Sequence, residues 1–375
     1  MANANQVALG RSNLSTGTGY GGATDKYALY LKLFSGEMFK GFQHETIARD
    51  LVTKRTLKNG KSLQFIYTGR MTSSFHTPGT PILGNSDKAP PVAEKTIVMD
   101  DLLISSAFVY DLDETLAHYE LRGEISRKIG YALAEKYDRL IFRSITRGAR
   151  SASPVSATNF VEPGGTQIRV GSTTNDSDAY NAGNLVNAFY DAAAALDEKG
   201  VSAAGRCAVL NPRQYYALIQ DVGSNGLVNR DVQGTALQGG GGVIEIAGIK
   251  IYKSMNIPFL GKYGVAYGGT TGEVSPGNLG SHIGPTPENA DGSGGENNDY
   301  GTNAQLGSKS CGLIFQKEAA GVVEAIGPQV QVTNGDVSVI YQGDVILGRM
   351  AMGADYLNPA AAVELYVGTS APSAF

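Results

Sequence analysis

The segment Leu112–Thr146 carries one unbroken helical repeat, and this constrains the chain more than any other feature. Ile125, Ile129, Leu133, Tyr137, Leu140, Ile141 and Ile145 recur at i, i+3 or i+4 and form a single apolar stripe. Arg122, Arg127, Lys128, Glu135 and Arg139 occupy the remaining positions. Asp111, with Glu114 three residues later, supplies a capping-box variant at the start. At 1.5 Å per residue such a helix spans about 50 Å, with Gly123 and Gly130 as the positions where a kink is expected. A small globule has no use for a helix of this length, so it reads as a spine along which other elements are laid.

The segments before the spine have a different character. Met1–Gly22 is polar and rich in Gly, Ser, Thr and Asn, without the apolar run of a signal peptide, and residues 1–24 read as a flexible arm. Tyr27, Tyr30, Leu31, Phe34, Met38 and Phe39 then recur at helical spacing as a short amphipathic stretch interrupted near Gly36. Between Leu51 and Ser86 there is no acidic residue, while Lys54, Arg55, Lys58, Lys61 and Arg70 are all basic. Asn59-Gly60 lies between Leu57 and the run Leu63–Tyr67, the composition of a hairpin turn joining two strands. Met71–Pro91 reads as a loop. The whole is an extended basic β-loop with no core of its own, so it has to lean on something else.

Ser151–Ser177, rich in Ser, Pro and Gly, separates the spine from a second region. There Leu185, Phe189, Ala192 and Leu196 mark a helix closed by Lys199 and Gly200. Cys207–Leu210 is a strand of the fully buried type, and Asn211-Pro212 opens a helix through Tyr215 and Leu218. Val243–Ile246, a turn at Ala247-Gly248 and Ile249–Tyr252 make a tight hairpin. Gly268–Gly301 is dense in glycine, with Pro276, Pro285 and Pro287, and is expected to be a surface insertion. Gly312–Phe315, Val337–Tyr341 and Val345–Leu347 read as strands that bring the chain back.

Composition removes several classes. At 375 residues and 42% hydrophobic content the chain can bury a sizeable core in two or three domains or one elaborated one. No run approaches the ~18 consecutive apolar residues of a membrane span, so no membrane partner is expected. Two cysteines, Cys207 and Cys311, cannot form a disulfide framework and suit a reducing compartment. A net charge of −4 argues against a dedicated nucleic-acid binder, whose affinity comes from neutralising phosphates.

The chemical motifs fail one by one. Asp111-Leu112-Asp113-Glu114-Thr115 matches the Asp-x-Asp-x-Thr signature of haloacid-dehalogenase-type phosphatases, where the first Asp is a nucleophile and Mg²⁺ bridges to phosphate. That signature belongs on the first strand of a parallel sheet, but here it lies past residue 110 and leads into the spine. The later acid pair is also missing, since Asp344 is followed by Val345-Ile346-Leu347. Gly60-Lys61-Ser62 ends like a P-loop, but the glycine required upstream is Arg55. His44-Glu45 has Ala48 where a zinc helix needs its second histidine. No catalytic residue, cofactor site or metal site is therefore expected, and the chain does not read as an enzyme.

The order of segments is distinctive. It runs from arm to basic hairpin, long spine, glycine-laced second region and return strands, and it resembles the major capsid proteins of tailed bacteriophages, closest to short-tailed podovirus-type phages including cyanophages. The residues carrying the likeness begin with Asp25-Lys26-Tyr27-Ala28-Leu29, Leu33-Phe34-Ser35-Gly36-Glu37, Gly60-Lys61-Ser62, Gln64-Phe65 and Gly69-Arg70. They continue with Asp101-Leu102-Leu103, Tyr110-Asp111, His118-Tyr119-Glu120-Leu121-Arg122, Gly312-Leu313-Ile314-Phe315, Ala351-Met352-Gly353 and Leu357-Asn358-Pro359.

The resemblance implies an α+β fold of the tailed-phage capsid type. Its parts would be an N-terminal arm at 1–48, an extended hairpin loop at 49–93 and a peripheral domain at 94–178 holding the spine helix at about 112–146. An axial domain at 179–323 would carry a surface insertion at 268–310, with return strands at 324–375. It also implies a structural protein that self-assembles as hexamers and pentamers into an icosahedral shell. Assembly would proceed around a scaffolding protein in the host cytoplasm, with a portal, and expansion would follow as double-stranded DNA is packaged and held without sequence specificity. The virion is the implied location. An encapsulin-like nanocompartment shell is the alternative within the fold, and a phosphatase the alternative outside it. Lys54, Arg55, Lys58, Lys61 and Arg70 are the candidate inter-subunit contacts, because a stretch without carboxylates cannot pair its cations internally.

Overall fold

A computed structural model of the chain describes residues 47–68, 73, 75–79, 92–99, 102–110, 121–154, 156–157, 160–171, 176–220, 244–254, 256–257, 310–332, 342–367 and 371. The chain divides into two compact units, one of residues 1–44, 101–134 and 326–351, the other of residues 45–100, 135–325 and 352–375.

Twelve strands and four helices are used below. The strands are β1 Thr53–Thr56, β2 Ser62–Thr68, β3 Val92–Val98, β4 Leu103–Tyr110, β5 Thr166–Arg169, β6 Arg206–Leu210, β7 Ile244–Ile246, β8 Ile249–Lys253, β9 Ser310–Gln316, β10 Ala320–Val332, β11 Gly343–Tyr356 and β12 Ala362–Tyr366. The helices are α1 Ala48–Leu51, α2 Leu121–Ala149, α3 Ala182–Glu198 and α4 Pro212–Gln220.

In the first unit β4 lies antiparallel to β11, with Gly343 opposite Tyr110 and Met350 opposite Leu103. One face of this ladder meets the spine: a Cβ on Gly348 would fall within 2.4 Å of Ile129 and 2.9 Å of Leu133. The alternate residues Ile104 and Phe108 of β4 face away and are about half exposed, as the period of two along a strand requires.

The second unit is built on a six-stranded sheet of order β5-β12-β9-β6-β8-β7. β6 is parallel to β8 and antiparallel to β9, and β12 is antiparallel to β9 and parallel to β5. Every residue of β6 is buried. Leu185, Phe189 and Leu196 of α3 share a core with Leu210, Ile249, Ile314 and Leu365. The local chemistry explains the helix ends. Asn181 accepts the N–H of Asn184 at the start of α3, and the backbone N–H groups of Lys199 and Gly200 close its end on Ala195 and Asp197. At α4, Asn211 accepts the N–H of Arg213 while Gln214 accepts the N–H of Asn211, so each satisfies a donor the helix itself leaves open. The tight hairpin β7–β8 turns at Ala247-Gly248, with φ of 52° and 74°. Both values belong to the primed turns that match strand twist. Cys207 and Cys311 are buried free thiols, and burial pushes the Cys207 thiol up to about 12.

The spine runs without interruption from Leu121 through Gly123 and Gly130 to Ala149, about 43 Å at 1.5 Å per residue. It continues three residues past the expected end at Thr146. Gly148 lies in this extension, where a Cβ would come within 2.8 Å of Tyr356, so the last turn of the helix packs closely against the end of β11. Ile129, Leu133, Tyr137, Ile141 and Ile145 of the expected stripe are all buried. The expected start at Asp111, the segments 1–24, 268–301 and 337–341, and Arg70 lie outside the described residues.

The expectation of a hairpin turn at Asn59-Gly60 is corrected. The strands on either side do not pair with each other. β1 runs parallel to β10, Thr53 opposite Gly321 and Thr56 opposite Glu324, while β2 pairs antiparallel with β3, Ser62 opposite Val98 and Thr68 opposite Val92. Gly60, at φ 96°, supplies the left-handed corner by which the chain leaves one sheet for the other. The turn chemistry was legible, but the partners were not, because both lie far away in sequence.

Candidate assembly interface

The β2–β3 hairpin has two dissimilar faces. Leu63, Phe65 and Tyr67 stand opposite Ile97, Lys95 and Ala93 on the inner face. Ile97 is fully buried and clusters with Val323 and Leu357, with Leu57, Leu63, Phe65 and Met99 packed around them. Lys95 pairs with Asp355 at 2.7 Å, and its ammonium sits 3.6 Å from the centre of the Tyr356 ring. Burial, and then the neighbouring Tyr356 and Asp355, push the Tyr67 hydroxyl well above the usual tyrosine range, so it stays protonated. The Met99 N–H closes the ladder on the Lys61 carbonyl at 2.8 Å. The hairpin therefore leans on its own chain at the root, where the sequence alone gave it no support.

The outer face has no such cover among the described residues. Ile66 is 73% exposed, Val92 60% and Val98 50%. A two-stranded ladder whose outer face is open to water, with Ile66, Val92 and Val98 set among polar residues, is marginal by itself.

The five basic candidates fall into different environments. Lys54 on β1 reaches Glu324 of β10 at 2.7 Å, so it is held within the chain. Glu324 is nearly buried and also receives Arg49 at 3.3 Å and the Tyr137 hydroxyl at 2.8 Å. Burial alone would raise this carboxyl. The hydrogen bonds from Lys54 and Tyr137 and the charges of Arg49 and Lys54 outweigh it and hold Glu324 below the ordinary range. The Tyr137 hydroxyl is driven far up by burial and by its bond to this anion. Arg55, Lys58 and Lys61 are exposed, and no carboxylate of the described residues pairs with them. Arg70 lies outside the described residues.

Sequence reading missed Glu324, Lys95, Asp355 and Asp138. Asp138 interrupts the buried side of the spine and is 1% exposed. A carboxylate set among Tyr137, Ile141 and Phe142 was the available signal. The other three give no local sign, since each depends on a partner in a distant segment.

Nothing assembles into a catalytic or metal centre among the described residues, where no group of three or more His, Cys, Asp or Glu side chains is placed to hold a metal ion. β4, which leads to the Asp111 motif, pairs antiparallel with β11, whereas the phosphatase signature needs a parallel sheet. Gly60-Lys61-Ser62 forms an exposed corner and the start of β2, with no helix following it.

The comparisons agree with this geometry. The family model described as Gp10A-like major capsid protein matches residues 64–366. The major capsid protein of Escherichia phage T7 is 26% identical over 359 residues, covering 92% of this chain and 94% of the relative. The capsid of the cyanophage P-SCSP1u superposes with a TM-score of 0.67 at 32% identity, over 96% of this chain and 98% of that one. The mature capsid of bacteriophage PhiM1 shares the fold, with a TM-score of 0.62 at 14% identity over 93% and 95% of the two chains. An uninterrupted spine, a β-hairpin and a six-stranded α+β unit make up a fold shared with phage shell proteins, whose work is structural. The chain belongs to the Gp10A-like major capsid protein family, of the podovirus type, and forms the capsid of a bacteriophage.

Proposed function

We propose that copies of this chain close into hexamers and pentamers around a scaffolding protein in the host cytoplasm. The shell then receives double-stranded DNA through a portal and expands. The mild net charge of −4 supports a container that does not grip its DNA tightly, and the chain has no catalytic role. In this reading residues 1–48 are the arm and 49–93 the extended loop. Residues 94–178 form the peripheral domain, 179–323 the axial domain with the 268–310 insertion, and 324–375 the return strands.

The observation that carries the contact assignment is the split among the basic residues. Glu324 holds Lys54 in place, while Arg55, Lys58 and Lys61 stand exposed, as do Ile66 and Val98 of the hairpin. These three, with Arg70, face an acidic patch on the neighbouring protomer. Each exposed pair contributes only ~0.2–1 kcal/mol, but repeated around a ring such pairs fix orientation and speed encounter.

Reversing Lys58 and Lys61 to Glu should leave the circular dichroism of the unassembled chain unchanged and block or misdirect shell formation seen by electron microscopy. Normal shells at the wild-type rate, in low and high salt alike, would remove these residues from the interface.

A further inference from the structure

Tyr215 and Tyr216 are neighbours on α4 with opposite surroundings. Successive residues of a helix are turned by about 100°, so the pair cannot share a face. Tyr215 belongs to the core of the second unit, whereas Tyr216 is 46% exposed. The exposed ring is nevertheless held. It stands edge-on to Tyr215, the centres 5.7 Å apart and the planes at 83°. Lys253, the last residue of β8, donates to the Tyr216 hydroxyl at 3.1 Å. Its ammonium lies 5.2 Å from the centre of that ring and 5.8 Å from the centre of the Tyr215 ring. The hydroxyl thus keeps its own proton for a further acceptor, as the ammonium keeps its remaining ones. A ring fixed in this way has little conformational freedom left to lose on docking, and tyrosine is among the residues that dominate binding energy at interfaces.

The cluster offers donors to an anion and aromatic surface beside it. It does not offer a track for nucleic acid, which is bound by neutralising several phosphates. The other lysine of β8, Lys250, stands opposite Glu245 across the β7–β8 ladder. A face of the complementary chemistry lies on α3. That helix turns Leu185, Phe189 and Leu196 into the core, and presents Tyr190, Asp191, Ala194 and Glu198 to solvent at i, i+3 and i, i+4 spacing. It too pairs an exposed tyrosine with charge, here of the opposite sign. Among the described residues no cation pairs with Asp191 or Glu198, and no carboxylate pairs with Lys253. The two faces therefore do not satisfy each other within one molecule.

We propose that the Tyr216–Lys253 cluster of one copy docks on the α3 face of a second copy, its ammonium and hydroxyl donating to the carboxylates of Asp191 and Glu198. This rests on the shell-forming reading above, but it uses a surface distinct from the basic hairpin. The two faces are unlike, so the contact is heterologous: each copy gives its α4 face to one neighbour and its α3 face to another. Such a contact builds rings or chains and never stops at a pair. Complementary charge then selects the register in which successive copies meet.

Crosslinking of the full chain under assembly conditions tests this. Arg213→Cys, one turn before Tyr216, and Ala194→Cys, between Asp191 and Glu198, put one thiol on each face, while both native thiols are buried. A short bis-maleimide should carry the double variant into a covalent ladder that rises past dimer, and should link neither single variant. Adding Lys253→Glu should slow the ladder about tenfold, and further adding Asp191→Lys and Glu198→Lys should return most of the rate. The same charge swap without the added cysteines, followed by light scattering during assembly, gives a second reading if the thiol variants do not fold. Shells without a ladder overturn the contact and leave the shell-forming reading standing. A ladder without shells upholds the contact and removes that reading, and the absence of both removes both. Dimers from Arg213→Cys alone, or a rate indifferent to Lys253→Glu, also overturn the contact. So does a ladder abolished by added double-stranded DNA, which would assign the cluster to phosphate.

Discussion

Arg150 and Glu364 join the end of the spine to β12, the strand next to the β5 edge of the six-stranded sheet, and both side chains are wholly buried. Arg150 Nε donates to Oε2 at 2.8 Å and Nη2 to Oε1 at 2.6 Å, while Gln167 adds a donor to Oε2 at 2.9 Å. Arg150→Met leaves the Glu364 charge buried with the amide of Gln167 in place of the guanidinium, and Glu364→Leu leaves the guanidinium without its carboxylate. Breaking a buried pair from one side costs ~3–5 kcal/mol, whereas replacing both partners with apolar groups is often neutral. Against a total stability of ~5–15 kcal/mol each single change is severe. The double variant Arg150→Met/Glu364→Leu should recover most of the loss, giving a coupling of at least ~2 kcal/mol. Urea unfolding of the unassembled chain, read as the midpoint at constant slope, measures all four corners of the cycle. Single variants within ~1 kcal/mol of wild type, or a double variant equal to the sum of the singles, would refute the view that this pair is costly only when half removed.

Two further outcomes follow from close packing. A Cβ on Gly353 would lie 2.2 Å from the Val98 carbonyl oxygen, so Gly353→Ala should displace the end of β3. Hydrogen exchange should then rise at residues 92–99 and stay unchanged in β6 and β9. Phe189→Ala empties a fully buried position of the α3 core and should destabilise the chain by ~3–5 kcal/mol in the same urea assay.

What the sequence made legible was local chemistry. Asn211-Pro212, Lys199-Gly200 and Ala247-Gly248 act through neighbours within a few residues, and each ends or turns its element as expected. The spine's stripe was legible for a related reason: its period repeats along one helix and needs no knowledge of the partner. Pairing across long separations left no such mark. β1 finds β10 more than 260 residues later, and nothing in Thr53–Thr56 points to it. Lys54 looked available for a neighbouring protomer because its span holds no acid, but Glu324 lies outside that span. The motif Ala351-Met352-Gly353 carried the family likeness without its cause, which is the Val98 carbonyl that occupies the space of a side chain.

The two native thiols have a practical consequence. With Cys207 pushed up to about 12, only about one molecule in ten thousand carries its thiolate at pH 8, and Cys311 is equally enclosed. The chain is thus nearly silent towards thiol reagents without any cysteine being removed. A single cysteine introduced at exposed Lys58 would be its one fast-reacting group. The rate at which that group accepts a label would report, second by second, how closely the hairpin is covered as shells form.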